Sequence, residues 1–367
     1  MSIVDIHIIQ SLAPNNVNRD ETGAPKTCVF GGVLRRRVSS QSWKRAIRRY
    51  FGDVLVNGGR GLTENHLGIR TRRIPEQVAG LLAERGRDHD ETVTRVLNMK
   101  GFKGDEKQSS TLVFLTREEM QSIADAVDAN WDLLGKDKLS DADLKKIEFT
   151  LGQGRALDLA LFGRMLADLP HENIDAACRV AHAISTHRAD TEIDFFTAVD
   201  DLKTRDEDAG AGMMGDLEFS SCVLYRHLAL DTEQLATNLA GDADLVAQGI
   251  RGLIEAAVRA VPGGRQTTFL AVEPPSLVLA DVRGQAVGLA NAFSKPVREQ
   301  RDASLIDASI EALARHRGHV DAMFGTGDVT ATFVCAAVDS DDDLGALSES
   351  RVASIDALIE GVLESVQ

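Results

Sequence analysis

Hydrophobic positions along this chain follow two periods, and the change of period divides it. Residues 3–12 (Ile-Val-Asp-Ile-His-Ile-Ile-Gln-Ser-Leu) are rich in β-branched side chains and predict a strand. A polar loop follows from Pro14 to Pro25, with turn formers Asn15, Asn16, Asn18, Asp20 and Gly23. Val29-Phe30-Gly31-Gly32 then leads through three arginines to Val38, and Ser39-Ser40-Gln41-Ser42 opens a helix to about Phe51, with serine placed to cap it. Glycines at 52, 58, 59 and 61 mark a boundary. From about 63 to 180 the period is mainly helical: Pro75–Glu84, Thr92–Leu97, Glu118–Leu134 and Asp141–Leu151, broken by a weaker strand at Ser110–Leu115. A further helix is expected over 172–186 and an acidic loop over 188–217. Strand-like runs return at Leu217–Leu230, Thr267–Val272, Ser276–Val282 and Val329–Val338, alternating with helices at 242–260, 302–316 and 348–365. Strands at both chain ends separated by helical segments predict one α+β core with excursions.

The first predicted helix has two faces. At 100° per residue, Trp43, Ala46, Ile47, Tyr50 and Phe51 fall within an arc of about 140°. Lys44, Arg45, Arg48 and Arg49 occupy a separate arc, with Gln41 in its middle. One face is thus suited to the core, and the other offers four cations and an amide. Ser39 and Ser40 stand at the helix N-terminus, where free N–H groups and the dipole favour phosphate oxygens. Arginine binds phosphate in a bidentate fork, and lysine acts as a mobile point charge.

Charge sharpens this picture. The 367 residues carry a net charge of −15, which by itself argues against a polyanion partner. Between Arg19 and Arg49, however, nine basic residues face two acids, so this segment is +7 and the rest −22. An acidic body with one cationic stripe attracts a polyanion in one orientation only. Backbone binding of a nucleic acid, RNA in particular, is the function these residues favour. Aromatic residues make up only 5%, and no aromatic strand motif of the RNA-recognition type is present, so base stacking on a sheet is not expected to carry recognition.

Other classes recede. The longest apolar runs fall far short of a bilayer span, and Met1 to Leu12 lacks a basic leader, so no membrane association is expected. Four scattered cysteines (Cys28, Cys178, Cys222, Cys335), with no CxxC pair, suit reduced thiols and a cytoplasmic protein. No Ser-His-Asp arrangement, phosphate-cradling GxxxxGK[ST] or zinc signature appears, so neither catalysis nor a cofactor nor a metal is expected. His182 and His187, five apart on a predicted helix, would point to different faces and make poor joint ligands.

Several motifs are more specific. Asn18-Arg19-Asp20, Phe30-Gly31-Gly32, Arg37-Val38-Ser39-Ser40-Gln41-Ser42 and Lys44-Arg45-Ala46 resemble the start of the CasC/Cse-type Cascade backbone subunit of type I-E CRISPR systems. The similarity continues through Asp158–Met165, is densest from Ala181–His187 to Glu192–Leu202, and reappears at Glu218–Ser221, Val261–Gly263 and Ala290–Phe293. These landmarks run in family order to about residue 297; the last seventy residues match mainly in layout.

The resemblance implies a hand-like subunit. An RNA-recognition-motif-like (ferredoxin-like) palm would be formed by 1–59 and 219–367, with a helical finger insertion at 60–187 and a thumb loop at 188–218. Several copies would stack along one CRISPR RNA with other Cascade subunits, holding the guide open for pairing with target DNA. Carried over position by position, Arg19, Lys26, Ser39, Ser40, Gln41, Lys44, Arg45 and Arg49 would contact or lie beside the guide backbone. Arg48 joins them on helix geometry alone. Met165 and the Phe195-Phe196-Thr197 tip would wedge against bases at regular intervals, independent of sequence. The chain departs from the family at Phe195, where a tryptophan is familiar, and at Leu34, where a basic residue is common; Arg35 to Arg37 are placed to cover the second. Two other readings stand beside this one. Backbone subunits of the related type III complexes cut RNA with a thumb aspartate and a metal, and this chain has Asp190, Asp194, Asp200, Asp201, Asp206 and Asp208 in that region. A generic single-strand RNA-binding protein is the other.

Overall fold

In the computed structural model the described residues are 2–56, 62–105, 107–136, 138–147, 149, 151–152, 155–198, 213–299, 301, 303–338 and 341–366. The chain folds as two compact units: Met1–Arg49, Val180–Leu230 and Arg251–Gln367 form the first, and Tyr50–Arg179 with Asp231–Ile250 the second.

The first unit is built on a large antiparallel sheet. Its strands include β1 (Ile3–Asn15), β2 (Thr27–Phe30), β3 (Val33–Val38), β4 (Ala183–Ser185), β5 (Glu192–Ala198), β6 (Met213–Asp231), β7 (Leu277–Arg283) and β8 (Val329–Ala336). They run in the order β8-β7-β1-β6-β4-β3-β2, and β5 pairs with the start of β6. The chain thus returns to β1 from distant segments on both sides; Ile6 pairs with Ala280 and Ile8 with Val278. The residues of β1 from Val4 to Gln10 are buried on both faces. Successive side chains of β6 go to opposite faces. Val223 and Tyr225 pack in one apolar cluster with Ile9, Leu279, Phe293, Ile310 and Leu313. Cys222 and Leu224 pack in another with Leu12, Val38, Trp43 and Ala183. The long helix Leu305–Phe324 supplies Ile310 and Leu313 to the first cluster, and the helix Ser40–Tyr50 supplies Trp43 to the second.

The second unit is mainly helical. The helices Ile74–Ala83, His89–Asn98 and Arg117–Ala129 bring Val78, Leu82, Val96, Ile123 and Val127 into one core. Their starts carry the signals expected of helix N-termini: Pro75 in the first turn of one, Asp88 accepting from the Glu91 N–H at 2.9 Å in the next, and a Thr116–Glu119 capping box in the third.

Four expectations are corrected. Residues 172–186 are not a helix: they hold Cys178–Val180 and β4 as extended chain, with Ile184 opposite both Tyr225 and Arg37. The described parts of the expected acidic loop 188–217 include β5 and the first residues of β6, paired Glu192 to Phe219 through Ala198 to Met213. The Thr267–Val272 strand is instead a short helix, Gln266–Phe269, closed by Leu270 in the left-handed region. Among the described residues of Asp141–Leu151, only Asp141–Leu144 are α-helical. All four cysteines are free, and no helix among the described residues is long and apolar enough to cross a membrane.

Candidate nucleic-acid interface

The β2–β3 hairpin turns on Gly31-Gly32, both with positive φ (61° and 78°), between the paired residues Phe30 and Val33. Such a two-residue loop requires φ > 0 twice, which explains the double glycine. Gly31 is also a point of close approach: a Cβ there would lie 1.6 Å from the Ser294 carbonyl oxygen.

The arginines that follow divide into two groups. Arg35 is fully buried and donates to the carbonyls of Phe30 (3.2 Å), Ser185 (3.1 Å), Thr186 (2.7 Å) and Phe293 (2.6 Å). Arg36 is buried too and donates to the Pro25 carbonyl at 2.7 Å. Burial pushes both guanidinium pKa values down. Neither cation is available to replace the basic residue absent at the exposed Leu34, so that part of the sequence expectation fails; Arg37 alone of the three remains partly exposed.

The loop before β2 is held by its own polar side chains. The Asp20 carboxylate accepts from the Thr22 hydroxyl (2.7 Å) and the N–H groups of Thr22 and Ala24, and the Thr22 hydroxyl above all holds its pKa down. The Asn18 side chain accepts from the Ser39 N–H at 2.8 Å, tying loop to helix. Arg19 thereby stands exposed, bridged to Pro25, and Lys26 is half-buried next to Arg37, whose N–H donates to the Lys26 carbonyl at 2.9 Å.

Ser39 is buried, and its hydroxyl accepts from the Ser42 N–H at 3.3 Å, so it caps the helix. The Ser40 N–H donates to His182 Nδ1 at 3.3 Å, and Arg37 Nη1 stands at the same distance from that nitrogen. Both groups can only donate, so Nδ1 is the acceptor and the neutral ring carries its proton on Nε2. Burial first, then Arg37 and Lys26, keep the His182 pKa below its ordinary value. Lys26, Arg37, His182 and the start of the helix therefore form one cationic cluster.

From that cluster the helix continues as the sequence predicts. Trp43 and Ile47 are buried, Ala46 and Tyr50 half-buried; Gln41, Arg45 and Arg49 are exposed, and Lys44 and Arg48 half-buried on the other face. Trp43 packs its ring under the buried Arg226 guanidinium, 3.6 Å from the centroid, which fixes the helix rotation. The helix then passes into a π-helical turn, Phe51–Val56.

Phe195, Phe196 and Thr197 lie on β5, exposed (65% and 40% for the two phenylalanines). Phe196 pairs with Gly215, whose missing side chain makes room for its ring: a Cβ there would meet it at 2.6 Å. Asp190 and Asp194 are exposed near this hairpin, while Asp200, Asp201, Asp206 and Asp208 lie outside the described residues.

In the second unit, Met165 is 83% exposed at the end of a segment otherwise packed inside. Asp158 accepts from the Gly68 N–H at 2.7 Å, and Gly163, at φ 72°, backs onto the Ile174 carbonyl. Arg164 forms a fully buried pair with Glu119 at 2.7 Å and donates to the carbonyls of Phe114 and Glu172. The conspicuous Asp158–Met165 motif is thus a rigid mount presenting one apolar side chain to solvent. Replacing Arg164 with alanine strands the Glu119 carboxylate and is expected to cost this unit about 3–5 kcal/mol, measured by urea unfolding.

The sequence places Arg37 in the basic segment but does not bring His182 beside it. Their link is the pairing of β3 with β4, Val38 opposite Ala183, which periodicity does not reveal.

The chain as a whole is similar to known proteins. The CT1975-like protein family model matches residues 4–361, and the chain belongs to that family. It is similar over 100% of its length, and of the other chain's, to a chain of a CRISPR RNA-guided surveillance complex in a pre-nicking state, at 31% identity and TM-score 0.82. A chain of another CRISPR RNA-guided surveillance complex matches at 26% identity and TM-score 0.73, with 99% of both chains covered. No curated protein matches. The family resemblance read from the sequence, to Cascade backbone proteins, therefore holds.

Proposed function

We propose that this protein is a component of a CRISPR RNA-guided surveillance complex of the Cascade kind, and within it the non-catalytic backbone subunit that binds the CRISPR RNA. The observation that carries the RNA-binding part is the sorting of cations. Arg35 and Arg36 are buried, whereas Lys26, Arg37, Lys44, Arg45, Arg48 and Arg49 are exposed or half-buried along the stretch from loop to helix. Such a stretch grips phosphates without reading bases. The first unit, in this reading, is the RNA-recognition-like palm, β5 with the start of β6 the thumb, and the helical unit the fingers. Phe195, Phe196 and Met165 then serve as exposed apolar wedges between bases. Copies of the chain assemble along the guide in the cytoplasm with other Cascade subunits, and target DNA is reached through the guide.

The test is binding of the purified chain to two single-stranded RNAs of unrelated sequence. Affinities equal within about threefold, both falling steeply with salt, are expected of backbone binding; a strong preference for one sequence contradicts it. Incubation of the guide-bound chain with complementary RNA and magnesium or manganese should leave that RNA intact, and cleavage lost on Asp194→Ala would support a catalytic subunit instead.

The His182 cluster adds a pH dependence. Because its pKa lies below the ordinary 6.5, the ring is neutral at pH 7. Acidification protonates Nδ1, releases Arg37 and the Ser40 N–H, and adds a cation beside Lys26. RNA affinity should therefore rise as pH falls below the ordinary histidine value of 6.5. In His182→Gln, whose amide oxygen replaces the Nδ1 acceptor, the profile should flatten; an unchanged slope would remove His182 from the interface.

A further inference from the structure

The centre of the sheet holds a polar cluster that RNA binding does not use. Asp5 and His7 lie two apart on β1, so they share a face, and His227 lies on the neighbouring β6. The histidine rings stack, with centroids 4.7 Å apart and planes 6° from parallel. Each of the three residues offers a ligand atom, and those atoms lie within 4.8 Å of one another. His7 is completely buried. Its Nδ1 is engaged by the Tyr225 hydroxyl at 2.9 Å, and its Nε2 has no hydrogen-bond partner. A buried ring nitrogen without a partner in the middle of a sheet costs about 1–3 kcal/mol, so a structure that retains it calls for a ligand.

We propose that Asp5, His7 and His227 bind a transition-metal dication, with zinc the best match to two imidazoles and one carboxylate. The surroundings fit that assignment. The second Asp5 oxygen accepts from the Val287 N–H at 2.6 Å, which holds the carboxylate in place. Tyr225, itself fixed by the Leu289 N–H at 3.0 Å, orients the His7 ring through its other nitrogen, as partners of metal-bound histidines do. The nearby cations do not oppose the metal with full charge. Arg317 is paired with Asp281 at 2.7 Å and Arg283 with Asp328 at 3.2 Å, leaving the Asp5 carboxylate as the uncompensated charge of the cluster. Burial, followed by the neighbouring His227, Arg317 and Arg283, holds His7 well below its ordinary pKa, so a neutral ring is ready to coordinate. His227 is partly exposed and supplies a way in. His227 Nε2 now donates to Asp5 at 2.9 Å; metal binding replaces that proton and closes the site on His7 Nε2. The ion would join β1 to β6 and brace the sheet that carries the cationic stretch, whatever that stretch binds.

The experiment uses the full chain, treated with chelator and dialysed, then titrated with cobalt(II) as a spectroscopic stand-in. About one equivalent per chain should give a visible d–d band of low-coordinate cobalt, and added zinc should displace it and raise the melting temperature by several degrees. His227→Gln, at the solvent-facing ligand, and Asp5→Asn should each abolish both effects. A double substitution of His316 and His319, which neighbour one another on the helix Leu305–Phe324, should abolish neither. Absence of the band in the unmutated chain at excess cobalt overturns the proposal and leaves a plain hydrogen-bonded cluster. A band that survives His227→Gln overturns it equally.

Discussion

Replacing Lys44 and Arg45 by glutamate should lower the affinity of the chain for single-stranded RNA by about 100-fold at 0.1 M salt while leaving its melting temperature nearly unchanged. Both residues lie on the face of the helix Ser40–Tyr50 opposite Trp43 and Ile47, with Arg45 exposed and Lys44 half-buried, and neither belongs to the apolar core. If each neutralises one phosphate, the slope of log affinity against log salt should also shrink, by about 1.4 for a single strand. The salt slope separates this from misfolding: a damaged protein loses binding at every salt concentration, whereas lost ion contacts change the slope. An unaltered slope with full affinity would mean that the helix faces something other than a phosphate backbone.

Arg35 should behave in the opposite way. Its guanidinium donates to four carbonyls contributed by Phe30, Ser185, Thr186 and Phe293, so it joins the β2–β3 hairpin, β4 and the segment before residue 294. Arg35→Ala removes a donor from each of these carbonyls, of which Thr186's keeps the Val297 N–H, and opens a cavity, and should cost about 3–4 kcal/mol of stability in denaturant unfolding. Whatever protein remains folded should keep the salt slope of RNA binding, since Arg35 faces no solvent. Loss of the slope without loss of stability would place Arg35 at the interface after all. Two arginines ten positions apart, in one basic segment, thus carry different kinds of work.

That contrast shows what the sequence made legible. The helix over residues 40–50 and its two faces follow from a local period, because burial on one side repeats every three to four residues. Strand β1 was legible for the same reason, as a run of β-branched residues. Arg35 and Arg45 look alike in composition; only the partner strands, remote in sequence, make one a structural donor and leave the other exposed. Residues 172–186 read as helix because their alanines and apolar residues suit one, yet pairing of Ile184 with Tyr225 and Arg37 decides the conformation. Strand β5 had no alternation to read, because residues 191–197 are exposed throughout and no face is buried to impose a period of two. The metal-type cluster was equally hidden: Asp5 and His7 sit in an apolar strand, and His227 joins them only through the sheet. Motif similarity reached further than periodicity. Phe30-Gly31-Gly32 and Ala290–Phe293 are separate motifs in the sequence, and they meet in the structure where Gly31 backs onto Ser294 and Arg35 binds the Phe293 carbonyl.

The most direct test of the surveillance-complex reading is expression of the chain with its partner subunits, with and without a CRISPR array, followed by sequencing of the RNA that co-purifies. A Cascade backbone subunit should yield a uniform, spacer-containing RNA in an oligomer that the Lys44→Glu, Arg45→Glu double variant no longer forms. Recovery of the protein free of RNA, or bound to random cellular RNA in the presence of the array, would contradict it.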